Sequence, residues 1–328
     1  MRPVVLPPNA VPRFYRGGAA IAALRGIDAA AERTPEEWVG STTTVLGEQE
    51  LGLSRLPDGR LLRDAVAADP LGFLGPDHAA QLGADPCLLV KLLDAGERLP
   101  VHVHPDDASA RELLGSPYGK TEAWLVIATE GPAAAMHLGF REDVSPGTLE
   151  RWVRDQDTVA MLDALNLLEV QEGDVLFVPA GTPHAIGAGL LIVELQEPSD
   201  FSILLEWRGF SSGEGEASLG LGWDVALRCV DRSGIDPGRL CGERLPAEAE
   251  SFFRADWIEA SPSAELERGF AILVFTGGAA ELHSEAGEPV GVERGDTVLV
   301  PWDAGACRLE GEVAGVACRP PTREARRD

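Results

Sequence analysis

Apolar positions along this chain recur mostly in short runs. Cys87–Leu93, Trp124–Ala128, Val175–Pro179, Leu190–Gln196 and Ile203–Trp207 are rich in branched apolar residues and bounded by Gly, Pro or Asp. That is the pattern of strands in a sandwich or barrel. A second strand-rich stretch holds Phe270–Thr276, Ala279–His283, Thr297–Trp302 and Ala314–Cys318, and a weaker strand signal lies at Ser41–Leu46. Helical signals are fewer: Leu61–Ala68, Trp223–Val230, Ala247–Ala255, and a short helix through Ala108–Leu114 that opens on Pro105-Asp106-Asp107 and closes at Gly115. From about 146 to 168 apolar residues take helical spacing (Leu149, Trp152, Val153), with Ser145 as N-cap and a break at Asp155–Thr158. An insertion of this kind either covers a pocket mouth or packs without touching a ligand.

These signals predict a mainly β fold of two barrel domains. The first spans residues 1–210 and carries the helical insertion at about 146–168. The second spans 221–328, and Gly209–Glu216 is the expected linker. A length of 328 residues, too great for one ordinary core, agrees with two domains. Within the second half, Gly295-Asp296-Thr297-Val298-Leu299-Val300-Pro301 repeats the form of Gly173–Pro179, which points to an internal duplication.

Charge and composition remove several functions. The net charge is −25, from 53 acidic against 28 basic residues, which excludes a nucleic-acid backbone as the natural partner. No apolar run approaches the ~20 residues of a membrane span, and the first residues lack a signal-peptide core. Five scattered cysteines without C-x2-C spacing read as reduced thiols, so a cytoplasmic location is expected. Only two of the basic residues are lysine, Lys91 and Lys120. Arginine replaces most surface lysines but not one that must give up a proton, which singles out Lys120 as a catalytic candidate.

Candidate chemistry gathers in three segments. Three of the six histidines fall in Val101–Asp107 and Gly173–His184. In His102-Val103-His104, period-two alternation puts both imidazoles on one face of a strand. Glu122 follows in Gly119-Lys120-Thr121-Glu122-Ala123-Trp124. His184 ends a G-x5-P-x-G-x2-H turn, which resembles the second signature of cupin barrels. Three neutral nitrogens and one carboxylate suit a divalent ion with positions left open for substrate or water. Glu194 and Glu197 are alternative acids on a nearby strand. In the second copy Ala306 stands at the offset of His184, so that copy is expected to hold no metal, and the lone His283 reads as structural or exposed.

Leu89–Asp94, Val101–Asp107, Gly119–Trp124, Gly173–Gly187 and Gln196–Asp200 together resemble class I mannose-6-phosphate isomerases, zinc enzymes of two cupin domains, over roughly residues 85–207. The resemblance implies a jelly-roll fold and a Zn²⁺ ion, or another divalent metal, on His102, His104, Glu122 and His184. It also implies interconversion of mannose 6-phosphate and fructose 6-phosphate through a cis-enediol. The family's lysine falls on Lys120 and its aspartate on Asp200, which the resemblance places at ring opening, paired with His104 or a substrate hydroxyl. Two positions depart. His102 stands for a glutamine ligand, and Leu204 stands where the family has an arginine in contact with substrate. Arg208 and Arg141 are the candidates to replace it. Leu204 motivates a second reading, isomerisation of an unphosphorylated sugar. A third is a cupin oxygenase or a non-catalytic sugar-binding protein, neither of which requires Lys120 and Asp200.

Overall fold

A computed structural model describes residues 1–29, 31–131 and 134–322. Two sheets build the first barrel. One runs in the order 241–242, Val175–Val178, Glu122–Thr129, Leu190–Gln196, Leu89–Ala95, Glu36–Val39, Ala10–Val11. The other runs Ile203–Leu204, His102–Val103, His184–Ile186, Ala135–Phe140, Leu165–Glu169. A third sheet, centred on the long strands Ala271–Ser284 and Cys307–Arg319, forms the second half. Among the described residues no helix is long and apolar enough to cross a membrane.

The seven-stranded sheet of the first barrel is covered on both faces. Every residue of Leu89–Ala95 and of Leu190–Gln196 is buried, so these strands read as nearly continuous apolar runs. Alternate side chains separate two jobs. Val90, Leu92, Leu125 and Val193 join one hydrophobic cluster with Ile272, Val274, Leu299 and Val316 of the third sheet. Lys91, Glu122 and Glu194 line a cleft of the first barrel instead. The opposite face of the third sheet (Ala271, Leu273, Phe275, Val298, Val300) closes over a core of its own.

Several expected boundaries move. Gly209–Glu216 is not a linker: it turns into the helix Glu214–Ala217, and Ala217, Trp223, Ala226 and Val230 pack with Val101, Val103 and Leu205 of the first barrel. Cys241–Gly242 then pairs with Leu176 and Val175. The first unit therefore continues beyond 221, because an apolar helix face there finds its partner on the first barrel. At the other end, Val4–Val5 leaves the 1–210 unit and pairs with Leu299 and Val298. Residues 323–328 of the expected second domain lie outside the described residues.

The insertion is two helices, Pro146–Asp155 and Thr158–Ala164, capped by Ser145 and Asp157, and its last residues form the strand Leu165–Glu169. Leu149, Val153 and Met161 pack into the first barrel and none of them lines the cleft, so the insertion is a packing element. Ser41–Leu46 is not a strand, that role falling to Glu36–Val39. The Ala247–Ala255 helix shrinks to a 3₁₀ turn, Ala247–Ser251, before the strand Arg254–Ala260. Phe270–Thr276 and Ala279–His283 are one strand interrupted by a bulge between Phe275 and Gly277.

Arg25, at the end of the helix Ala19–Arg25, locks the halves together. It ion-pairs with Glu37, and reaches the Gly295 carbonyl at 3.1 Å and Thr297 Oγ1 at 3.0 Å. Their side chains are 5% and 3% exposed. Truncating one partner of such a pair leaves the other charged and dry, which costs about 3–5 kcal/mol. Arg25→Ala should lower unfolding stability by that amount in denaturant titration, whereas Arg55→Ala, which removes an exposed pair with Glu50, should change it by about 1 kcal/mol at most.

Candidate metal centre

Each implied ligand is delivered by a separate piece of local chemistry. His102 sits on a two-residue strand whose neighbours in register are His184 on one side and Leu204 on the other. His104 follows two residues on, its ring 5.0 Å from that of His102. The turn Pro179–Pro183 aims His184 inward. It relies on Gly181, whose φ of +87° suits glycine, and on Gly181 N–H donating to the His104 carbonyl at 2.8 Å. Glu122 opens a strand between Gln196 and Val178. The Gly119–Thr121 segment before it lies against the Pro105–Asp107 turn, where a Cβ on Gly119 would stand 2.5 Å from the Pro105 oxygen.

Backbone carbonyls fix the three imidazoles. His102 Nδ1 bonds the Pro100 carbonyl at 2.8 Å, His104 Nδ1 the Phe201 carbonyl at 2.6 Å, and His184 Nδ1 the Thr182 carbonyl at 2.8 Å. A carbonyl only accepts, so each Nδ1 carries the proton and each Nε2 presents a lone pair. Candidate ligand atoms of the three residues lie within 4.8 Å of one another. His184 Nε2 is buried with no hydrogen-bond partner, an uncommon cost unless a cation takes the lone pair. Glu122 brings Oε1 to 3.2 Å from His104 Nε2 and Oε2 to 3.7 Å from His184 Nε2. Such an N₃O donor set fits zinc or a neighbouring divalent metal.

The electrostatics keep these groups in their ligating forms. Burial, then the neighbouring imidazoles, hold His102 well below its ordinary pKa. Burial, then the Lys120 charge, lower His104, with Glu122 opposing. Burial and His104 bring His184 down to about 3. Burial would raise Glu122, but Lys120 and His104 outweigh it and hold the carboxylate well below its usual range. Lys120 Nζ lies 2.6 Å from Glu122 Oε1 and 3.2 Å from His104 Nε2, so the candidate acid–base lysine sits among the ligands.

Other candidates are placed differently. Asp200 does not pair with His104, whose Nδ1–H is taken by the Phe201 carbonyl. Instead Arg13 forks it, with 3.0 Å from each terminal nitrogen, and the Leu46 N–H adds a bond at 3.1 Å. Arg208 is exposed and stacks on Trp207, and Arg141 is spent on the Asp163 carbonyl at another surface. Neither lines the cleft. Glu197 receives the Thr121 N–H at 3.0 Å. Glu194 lies in the cleft, its Oε1 3.1 Å from Lys91 Nζ, and burial pushes it up to about 7. His283 is 34% exposed between Glu281 and Glu310, and Ala306 is exposed, so neither offers a second ligand set.

Sequence reasoning missed the wall opposite the imidazoles. Arg13, Tyr15 and Glu36 line it with Lys91 and Glu194. Glu36 accepts from Tyr15 Oη at 2.6 Å and Trp38 Nε1 at 2.7 Å, and faces Arg13 Nε at 3.3 Å and Lys91 Nζ at 3.6 Å. Burial would raise this carboxyl, but Arg13 and Lys91 bring it to about 2. One signal was present: two adjacent acids in an apolar strand, Glu36 and Glu37, must face opposite sides, and both sides here are dry.

A mannose-6-phosphate isomerase of Streptococcus mutans is 33% identical over 188 residues, 56% of this chain and 54% of the relative. Over that stretch the chain is similar to a mannose-6-phosphate isomerase. The matched stretch spans about half of that relative's length. Among solved structures, the mannose 6-phosphate isomerase of Bacillus subtilis matches with a TM-score of 0.77 at 22% identity, over 97% of this chain and 100% of the other. A mannose 6-phosphate isomerase bound with zinc and yttrium matches with a TM-score of 0.73 at 15% identity, over 98% and 100%. These likenesses extend the shared fold to nearly the whole chain. No family model matches it.

The buried imidazoles carry a pH signature. An unfolded histidine titrates at about 6.5, whereas His184 in the folded chain titrates at about 3. Between those values only the unfolded state takes the proton. This contribution to stability is therefore full above pH 6.5 and lost as pH falls toward 3. In metal-stripped protein the melting temperature of wild type should fall more steeply from pH 6.5 to 4.5 than that of His184→Asn. Parallel slopes would refute the assignment of a neutral, unpaired imidazole.

Proposed function

We propose that this protein is a zinc-dependent mannose-6-phosphate isomerase with His102, His104, Glu122 and His184 as metal ligands and Lys120 as acid–base residue. The observation that carries the reading is the Lys120 ammonium, 5% exposed, among the lone pairs of the ligand set. An oxygenase or a sugar-binding protein has no need of a proton carrier there, while aldose–ketose isomerisation must move one proton between C1 and C2. Zinc, when bound, supplies polarisation of the carbonyl and hydroxyl oxygens of the open-chain sugar. Lys120 Nζ stands beside Glu122 and His104; as the free amine it would take the proton from one carbon and, once protonated, return it to the other. Glu194, with a pKa near 7, is able to hold a proton for an adjacent sugar oxygen at neutral pH. Asp200, whose carboxylate is forked by Arg13, orders the cleft wall. The strongly negative chain acts on a small sugar phosphate in the cytoplasm, and nucleic acid and membrane are not its partners.

Metal analysis and turnover test this together. Wild type should hold about one divalent ion per chain and convert mannose 6-phosphate to fructose 6-phosphate. Replacing His104, Glu122 or His184 with Ala should abolish metal retention with the fold intact, and His102→Gln should keep the ion. Lys120→Arg keeps the charge but not the proton transfer, so it should retain metal and lose about 10²-fold or more in kcat. Solvent deuterium should appear at C2 of recovered substrate. A metal-loaded wild type without isomerase activity on phosphorylated aldoses would overturn the reading.

A further inference from the structure

Leu204 lies beside His102 in register and lines the cleft, so this wall of the ligand strand is apolar. A guanidinium reaches the same cleft from elsewhere. Arg13 follows the strand Ala10–Val11, on an N-terminal segment that begins as Val4–Val5 in the third sheet. We infer that Arg13 is the specificity-determining residue of this chain, anchoring the phosphate monoester of the substrate. This rests on the functional reading above and names the group that distinguishes a phosphosugar from a free sugar.

Three cations line the cleft, and each of them faces a carboxylate. Lys120 sits on Glu122 at 2.6 Å, and Lys91, 2% exposed, sits on Glu194 at 3.1 Å. The Arg13 side chain is 14% exposed and its neighbour Phe14 is 38% exposed, so this is the open end of the cleft. A phosphate on C6, remote from the reacting C1 and C2, belongs at that end. A guanidinium carries five N–H donors. The fork to Asp200 uses one on each terminal nitrogen, which leaves the second N–H of each for a ligand. Asp200 and Glu36 hold the plane of the group rigid before ligand arrives, and fork-to-phosphate bonding rewards a fixed plane. Glu36 shares its charge among Tyr15, Trp38 and Lys91 as well, which limits its competition for Arg13.

Mannitol 6-phosphate has no carbonyl to isomerise, so its binding reads Arg13 separately from turnover. Calorimetric titration of metal-loaded wild type, Arg13→Gln and Arg13→Lys, with metal content and melting temperature measured on each, makes the test. Arg13→Gln should weaken binding by about 10- to 100-fold, the usual loss for charge-assisted hydrogen bonds, and leave metal content unchanged. Arg13→Lys keeps one charge without the fork and should fall between. On mannose 6-phosphate the loss should appear in KM more than in kcat. Wild-type affinity in Arg13→Gln would overturn the proposal and leave Arg13 as a structural clamp on Asp200. If Arg13→Gln does not fold, Arg13→Lys decides, and wild-type affinity or loss of metal in it overturns the proposal equally. Absence of turnover in a wild type that binds mannitol 6-phosphate through Arg13 would refute the isomerase reading and leave this one standing.

Discussion

A sheet covered on both faces leaves no water for a charged side chain, and that constraint organises this protein. Leu89–Ala95, Glu122–Thr129 and Leu190–Gln196 lie between the second half of the molecule and the interior of the first barrel. Every ionisable group on the inner face must then be answered by another protein group. Lys91 stands beside Glu194 and Trp38 in register, and Glu36 answers Lys91 and Arg13 together. Buried pairs of this kind contribute little net stability against an apolar replacement. Their cost is better explained by function: they hold carboxylates and cations in fixed directions around the cavity proposed to take the sugar.

The same dryness gives the imidazoles their character. A carbonyl on each Nδ1 and a low-polarity surround keep all three neutral, so that their lone pairs need no proton removed before they can ligate. Glu122 and Lys120 bring opposite charges to the same point. A dication arriving there meets one carboxylate and three neutral nitrogens, and a lysine whose present partner, Glu122, is one of the proposed ligands. Competition between Lys120 and a metal for Glu122 would therefore be built into the proposed ligand set, and it would tie the state of the proposed acid–base residue to occupancy of the centre.

What was legible in the sequence follows from the range of each interaction. His102, His104 and His184 could be read because strand alternation and a Gly-Pro turn are local devices that aim a side chain wherever the segment lies. The repeat of Gly173–Pro179 at Gly295–Pro301 was legible for the same reason. Both copies use a turn in which an aspartate accepts an N–H three residues back, Asp174 from Gln171 at 2.8 Å and Asp296 from Glu293 at 2.9 Å. The partners of Asp200 and Lys91 were not legible. Arg13 and Asp200 are 187 residues apart, and no periodicity in either segment announces the other. The linker expectation failed at Gly209–Glu216 because glycine and acid content describe only the exposed turn, while Ala217 and Trp223 just beyond it carry the packing.

The second half, which has no ligand at Ala306, still acts on the site through the N-terminal segment. Val4–Val5 is held by Val298 and Leu299 in the third sheet, Leu6 donates its N–H to the Thr297 carbonyl at 2.8 Å, and Ala10–Val11 joins the edge of the first barrel. Arg13, Phe14 and Tyr15 come next, at the mouth of the cleft. A segment fixed at both ends loses far less freedom when a side chain beyond it meets a ligand than one that dangles. Arg25, spanning Glu37 and Thr297, holds the two halves in the register that this strap requires. The second half thus shares the turn geometry of Gly173–Pro179 without a histidine at the matching offset, and what it contributes is the anchorage that places three residues of one short strap over the first barrel's candidate metal centre.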